Sequence, residues 1–197
     1  DQAGSLFNIQ EVSNTLGINR LTLEKYVRVL EETFVIRRVT PFYRNPRKEI
    51  TKMPKIYFID TGLRNYISGN MIPFSDRADI GKICENHVFT EYFKALQGIQ
   101  KLHFWRTQNK TEVDFVSFHN EKQFFPIEVK YGASPGSIPT GLRSFIEMYH
   151  PAEAVIFSKQ GGSPLKLGNT TIWETKIQHC GIDHVAANLS YPFHGTM

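Results

Sequence analysis

The chain has 197 residues, of which 41% are hydrophobic and 21% charged, with a formal net charge of +4. That composition belongs to a globular protein with room for one large domain or two small ones. No apolar run approaches the roughly 20 residues of a membrane-spanning helix, so a transmembrane protein is excluded and no membrane partner is expected.

Two cysteines, Cys84 and Cys180, are too few for a disulfide scaffold or a four-thiolate zinc site. Low cysteine use and the lack of a visible signal peptide point to the cytoplasm. The start at Asp1, without Met, reads as a fragment of a longer protein.

The first sixty residues read as helix, turn, helix, strand, wing, strand. Ile9–Leu16 is a short helix with apolar Ile9, Val12 and Leu16, stopped by Gly17. Asn19 caps the next helix, where Leu23, Tyr26, Val27 and Leu30 fall at i, i+3, i+4 and i+7 and predict one buried stripe. The other face carries Arg20, Thr22, Lys25 and Arg28, together with Glu24 and Glu31. Phe34–Val39 and Lys55–Ile59 read as strands, and Asp60 caps a helix through Ile67. From Arg37 to Lys55 the cations Arg37, Arg38, Arg44, Arg47, Lys48, Lys52 and Lys55 are opposed only by Glu49. Such a run suits a polyanion or, equally, a solvated hairpin. The pattern is that of a winged helix-turn-helix over residues 1–67, with Thr40–Pro54 as the wing. Arg20, Lys25, Arg28, Arg44, Arg47 and Lys48 are its expected DNA contacts. Glu24, Glu31 and Glu32 would repel phosphate, so a protein-contact role for the unit stays open.

Ser68–Ile80 reads as a connector, and the rhythm changes after it. Ile80–Leu96 is a long helix; Leu102–Arg106, Glu112–Phe118 and Phe124–Tyr131 are strands. A helix containing Ser144–Tyr149 begins near Pro139, and Ala152–Ser158 is a fourth strand. Thr171–Glu174 is read as an added edge strand. The order is α-β-β-β-α-β, and the polar residues His119–Lys122 make a hairpin of the second and third strands.

The acids of this second region carry the chemistry. Glu112 to Val116 alternates, and so does Pro126 to Lys130, so two strands paired with their apolar faces aligned place Asp114, Glu128 and Lys130 on one face. On the long helix Glu85, Val88, Phe89, Tyr92 and Leu96 share one stripe, which puts Glu85 on the core-facing side. A buried carboxylate is expensive unless a metal or a cation relieves it. That helix is expected to pack over the sheet and bring Glu85 towards Asp114. Glu85, Asp114 and Glu128 are then oxygen ligands suited to Mg²⁺ or Mn²⁺. Lys130 is placed to orient a water or to stabilise charge at phosphorus. With Lys130, Glu128 and Asp114 as catalytic groups the chemistry is phosphodiester hydrolysis. The alternative is a salt-bridged core in which Lys130 neutralises Glu128 or Asp114 without metal.

Other residues are less pointed. Glu112 is a solvated strand residue or a second ligand, and Arg106 and Gln108 are packing or phosphate contacts. Trp105 and Trp173 read as packing residues, and His87 as non-catalytic. His179 and His184 have poor zinc spacing, and Gly161-Gly162 is a turn.

These residues resemble the PD-(D/E)XK nuclease superfamily. Asp114 matches the first acid, Glu128-Val129-Lys130 matches the (D/E)-X-K element, and Glu85 matches the acid often found on the first helix; Val113 stands where the motif's proline would be. The resemblance narrows further. Tyr43 to Lys48, Pro54 to Leu63, Gly81 to Asn86, Phe104-Trp105-Arg106, Glu112 to Val116 and Ile127 to Lys130 look like the DUF4143-type C-terminal region of prokaryotic AAA-type ATPases, over roughly Gly4 to Ser158. In that family an ATPase domain precedes this region. No G-x-x-x-x-G-K-[ST] phosphate loop occurs in the chain, so ATP is expected only through a missing N-terminal domain.

The expected fold is therefore mixed α/β (α+β). It has an N-terminal winged helix-turn-helix and, over 68–197, a restriction-endonuclease-like α-β-β-β-α-β core. Three functions compete: a Mg²⁺- or Mn²⁺-dependent nuclease on DNA, an inert nucleic-acid-binding module serving the ATPase, and a protein-interaction module.

Overall fold

The computed structural model describes residues 3–42, 53–95, 101–120 and 123–180. Among them the chain is mixed α/β, with five α-helices and two sheets. It divides into two units, Asp1–Thr90 and Glu91–Met197. No described helix is long and apolar enough to cross a membrane.

The first unit starts with two capped helices. α1 (Ile9–Leu16) begins where the Asn8 side chain accepts from the Gln10 and Glu11 amides, and ends at Gly17, which is left-handed at φ 66°. α2 (Arg20–Glu32) begins under Asn19, whose side chain accepts from the Leu21 amide. Strands β1 (Ile36–Val39) and β2 (Lys55–Phe58) pair antiparallel, Ile36 opposite Phe58 and Val39 opposite Lys55. α3 (Thr61–Ile67) is capped by Asp60, whose carboxylate accepts from the Leu63 amide at 2.6 Å. α4 (Ile80–Ala95) supplies Asn86, whose amide donates to and accepts from the Phe58 backbone, both at 3.0 Å, satisfying the last residue of β2 on the side away from β1.

The buried stripe expected on α2 is narrower than its spacing implies. Leu23 and Val27 are buried against Ile36, Phe7 and Val12. Tyr26 and Leu30 are exposed, as are Leu21 and Val29. Among the described residues α2 packs mainly on α1 and β1, so it buries one i, i+4 line and leaves its flanks to solvent.

The second unit is a six-stranded sheet in the order β3-β4-β5-β6-β8-β7. The strands are β3 (Lys101–Arg106), β4 (Glu112–Asn120), β5 (Gln123–Val129), β6 (Glu153–Ser158), β7 (Leu165–Leu167) and β8 (Thr170–Lys176). β3, β4 and β5 are antiparallel, whereas β5, β6 and β8 run parallel. α5 (Thr140–Tyr149) makes the crossover from β5 to β6. Leu142 and Ile146 of α5 pack on Ala154, Ile156 and Ile172, and Phe145 meets Trp105 edge-on at 5.4 Å. The strand expected over Thr171–Glu174 is not an edge. β8 lies between β6 and β7, because the following β7–β8 hairpin supplies the outer strand.

Gly141 fixes how α5 meets β4. A Cβ there would lie 1.8 Å from the Glu112 carbonyl oxygen, a backbone atom that cannot step aside. Gly141→Ala is therefore expected to lever α5 off the sheet two residues before Asp114. The cost is about 1–3 kcal/mol, read as a Tm several degrees lower in a thermal melt; an unchanged Tm would contradict this packing.

Candidate functional site

The β4–β5 ladder pairs Phe115 with Ile127 and Val116 with Pro126, and the same register carried one step on sets Asp114 across from Glu128. Directly opposed residues share a face. On the other side of β4 the pairing with β3 slips: His103 faces Val116 but Trp105 faces Val113. Asp114 and Phe115 together oppose Phe104 alone, the arrangement of a β-bulge, which re-aims the side chains it carries. The bulge depends on how β3 lies alongside β4, so sequence reasoning did not anticipate it.

Asp114 is buried, and its Oδ2 accepts from the Val129 amide at 2.8 Å. Glu128 is 2% exposed. Its Oε1 meets Lys130 Nζ at 3.0 Å, while its Oε2 is buried with no hydrogen-bond partner. Burial, and then the negative charge of Asp114, push the Glu128 carboxyl up against the opposing pull of Lys130. The Lys130 side chain is half exposed, so one end of this cluster is open to solvent. The structure thus brings Asp114, Glu128 and Lys130 together at the carboxyl end of β5.

Glu85 has different partners. Its Oε1 accepts from Tyr57 Oη at 2.5 Å and from Lys55 Nζ at 3.2 Å. A Cβ on Gly4 would come within 3.2 Å of the same oxygen, so the carboxylate lies tight under the N-terminal segment of its own unit. Among the described residues, no group of three or more His, Cys, Asp or Glu side chains is placed to hold a metal ion.

The basic run is also thinned. Lys55, expected as a surface cation, is buried beside Glu85, and Arg38 is bound to Glu31 at 2.5 Å. Alternation along β2 turns Lys55 to the same buried face as Tyr57, where a carboxylate must meet it. Arg44, Arg47, Lys48 and Lys52 lie outside the described residues. On α2, Lys25 and Arg28 are exposed, and Arg20 pairs with Glu24 at 3.0 Å. Arg106 and Glu112 bind each other at 2.6 Å. Trp105 packs against Phe145 and Tyr149, and Trp173 donates to Glu153 at 3.3 Å.

Residues 80–177 match the family model of DUF4143, a domain of unknown function. Residues 1–72 match a separate one, DUF8612, also a domain of unknown function. The DUF4143 resemblance drawn over Gly4–Ser158 is accordingly shown for the second region, and the first carries another signature. Two curated relatives, an uncharacterized protein of Mycobacterium bovis and one of Mycobacterium tuberculosis, are each 29% identical to the chain over 166 residues. The match takes in 82% of this chain and 37% of each relative, so the chain spans little more than a third of their length. No solved structure matches the chain at a significant level.

Proposed function

We propose that the chain is a nuclease-like module. In this reading a winged helix-turn-helix precedes a restriction-endonuclease-like core of the PD-(D/E)XK type, and both serve an AAA-type ATPase domain of a longer protein acting on DNA. The α4-β3-β4-β5-α5-β6 order supports the core assignment. The α1–α2–β1–β2 order supports the winged unit.

The observation that carries the reading is Glu128 Oε2, a buried carboxylate oxygen with no partner beside a second carboxylate at a bulge. Two carboxylates, with waters and substrate phosphate oxygens, are the usual holding set for Mg²⁺, and Mn²⁺ accepts the same oxygen donors. Asp114 and Glu128 would hold the ion; Glu85 accepts from Lys55 and Tyr57 within its own unit. When bound, the ion neutralises charge on a phosphoryl oxygen and acidifies a water. The Val129 amide fixes one oxygen of Asp114 and so orients that carboxylate across from Glu128. Lys130, tethered to Glu128 and half exposed, holds its ammonium where a phosphodiester approaching from solvent would present its charge.

The test is cleavage of plasmid or duplex oligonucleotide with Mg²⁺ or Mn²⁺. The wild type is expected to cut, and Asp114→Ala combined with Glu128→Ala to abolish cutting. Cleavage that survives the double variant ends the assignment.

The face of α2 favours a second reading for the first unit alone. Leu21, Tyr26, Val29 and Leu30 stand exposed beside Glu24 and Glu32, a surface better suited to a protein than to phosphate. In a duplex-binding titration Lys25→Glu with Arg28→Glu weakens binding if α2 meets DNA, and changes nothing if it meets protein.

A further inference from the structure

Three parallel strands, β5, β6 and β8, end on the same edge of the sheet as the acid pair. Each ends in a lysine. Lys130 follows β5, Lys159 follows β6, and Lys176 closes β8. The ladder sets Ser158 against Lys176, and Val129 against Phe157, so one further step sets Lys130 beside Ser158. Lys130 and Lys176 therefore share a face with one strand between them, a backbone separation of about 10 Å at two strand spacings.

Lys159 joins this edge by direct contacts. Its amide donates to the Tyr131 carbonyl at 3.1 Å, and its ammonium lies 5.7 Å from the centre of the Tyr131 ring. Tyr131 immediately follows Lys130, so these contacts tether Lys159 at the same end of the sheet as Lys130. The stem of Lys176 is seated by Gly161, where a Cβ would come 3.2 Å from Lys176 Cγ. Glu174, the nearest acid along β8, accepts from the Gly136 amide with both oxygens, at 3.0 and 3.1 Å, and so is turned to the loop before α5. Among the described residues no ion pair to a carboxylate is formed by Lys159 or Lys176, and both side chains are exposed.

We propose that Lys159 and Lys176 extend the acid site into a cationic rim that binds the backbone phosphates of duplex DNA on either side of the phosphodiester held at Asp114, Glu128 and Lys130. This inference rests on the nuclease-like reading for its substrate class, but the rim itself is made of groups outside the acid pair. Ligands of sheets with parallel strands gather outside the strands' carboxyl ends, where these lysines lie. A strand of phosphates crossing that edge would meet Lys130, Lys159 and Lys176 in turn. Each contact releases condensed counterions, so the rim has a thermodynamic signature separate from catalysis.

The experiment is fluorescence anisotropy of a short labelled duplex with the whole chain in EDTA, over roughly 50–200 mM salt. Cleavage of the same duplex in Mn²⁺ is measured in parallel. Lys159→Gln with Lys176→Gln is expected to weaken binding about tenfold or more and to lower the slope of log K against log salt by about 1.8, two contacts at roughly 0.9 each. Lys159→Arg with Lys176→Arg is expected to restore both. Wild-type affinity and slope in the Gln variant overturn the rim, even where cleavage still depends on Asp114 and Glu128. Failure of the wild-type chain to bind duplex at all overturns it too. A lowered slope in a chain that never cuts upholds the rim and refutes only the nuclease reading. Matching melting curves for the exposed variants establish that any loss is electrostatic.

Discussion

Glu128→Gln is expected to lower duplex cleavage about a hundredfold or more while raising the melting temperature at pH 8 and above. The two effects come from one side chain. On the proposed nuclease reading, loss of the carboxylate that would hold the metal removes several kcal/mol of transition-state stabilisation, and each 1.36 kcal/mol is a factor of ten. The gain in stability follows from the pKa. Burial, and secondarily the charge of Asp114, raise the folded Glu128 carboxyl from 4.5 to about 8, with Lys130 pulling the other way. A folded value above the unfolded one means that the native state holds its proton more tightly. The stabilisation is complete below about pH 4.5 and is lost as pH rises towards 8. Above that range the native chain carries a poorly solvated charge, which glutamine lacks while it still accepts from Lys130. Mn²⁺ should reverse the penalty in the wild type. Its stabilising effect grows as pH rises through the same range and is absent in Glu128→Gln. Calorimetric melts of both proteins at pH 6 and pH 8.5, with and without Mn²⁺, check this. A variant that melts below the wild type at pH 8.5, or cuts at the wild-type rate, would make Glu128 simply the structural partner of Lys130.

What the sequence discloses here follows the range of each interaction. Asn8, Asn19 and Asp60 act on amides two or three residues away, and Gly17 on a carbonyl three back. The helices they bound are accordingly readable from local spacing. Alternation in Glu112–Val116 and Pro126–Lys130 is likewise local, and it places the acids of β4 and β5. Lys55 and Glu85 are 30 residues apart, and nothing near either names the other. A lysine in a basic run looks like a surface cation until the register of β2 turns it inward. The bulge at Asp114 and the interior position of β8 depend on which strand lies alongside, which is a property of the sheet. Ser68–Ile80, polar and glycine-bearing, reads as a plain connector, yet it supplies Asn70, Arg77 and Asp79 to a buried polar cluster.

That cluster carries the largest stability effect expected in the chain. Asp79 receives Arg64 Nη2 at 3.0 Å on one oxygen and Arg77 Nε at 2.9 Å on the other. Arg77 also reaches Asn65 at 3.1 Å and donates to the Asn70 carbonyl. Arg64 is fully buried and Arg77 is 6% exposed, and both guanidinium groups donate to the Asp79 carboxylate. The hydrogen bond from Arg77, aided by that from Arg64, holds the Asp79 carboxyl down, from 3.8 to about 2. A depressed folded value contributes stability above the unfolded pKa, and the contribution fades as pH falls through about 2; mild acid therefore leaves the cluster intact. Asp79→Ala strips the shared counter-charge from both arginines, and removing one partner of a buried pair costs about 3–5 kcal/mol. At roughly 2–4 °C per kcal/mol for a chain of this size, Tm falls by about 10 °C. Both tryptophans, Trp105 and Trp173, lie beyond residue 90, so the helical far-UV signal is the proper readout of the first unit. Replacing all three charges together, Arg64→Leu, Arg77→Met and Asp79→Leu, is expected to cost less than Asp79→Ala alone, because no buried charge is then left uncompensated. A single variant that melts with the wild type, or a triple variant worse than the single, would show that solvent already screens these arginines.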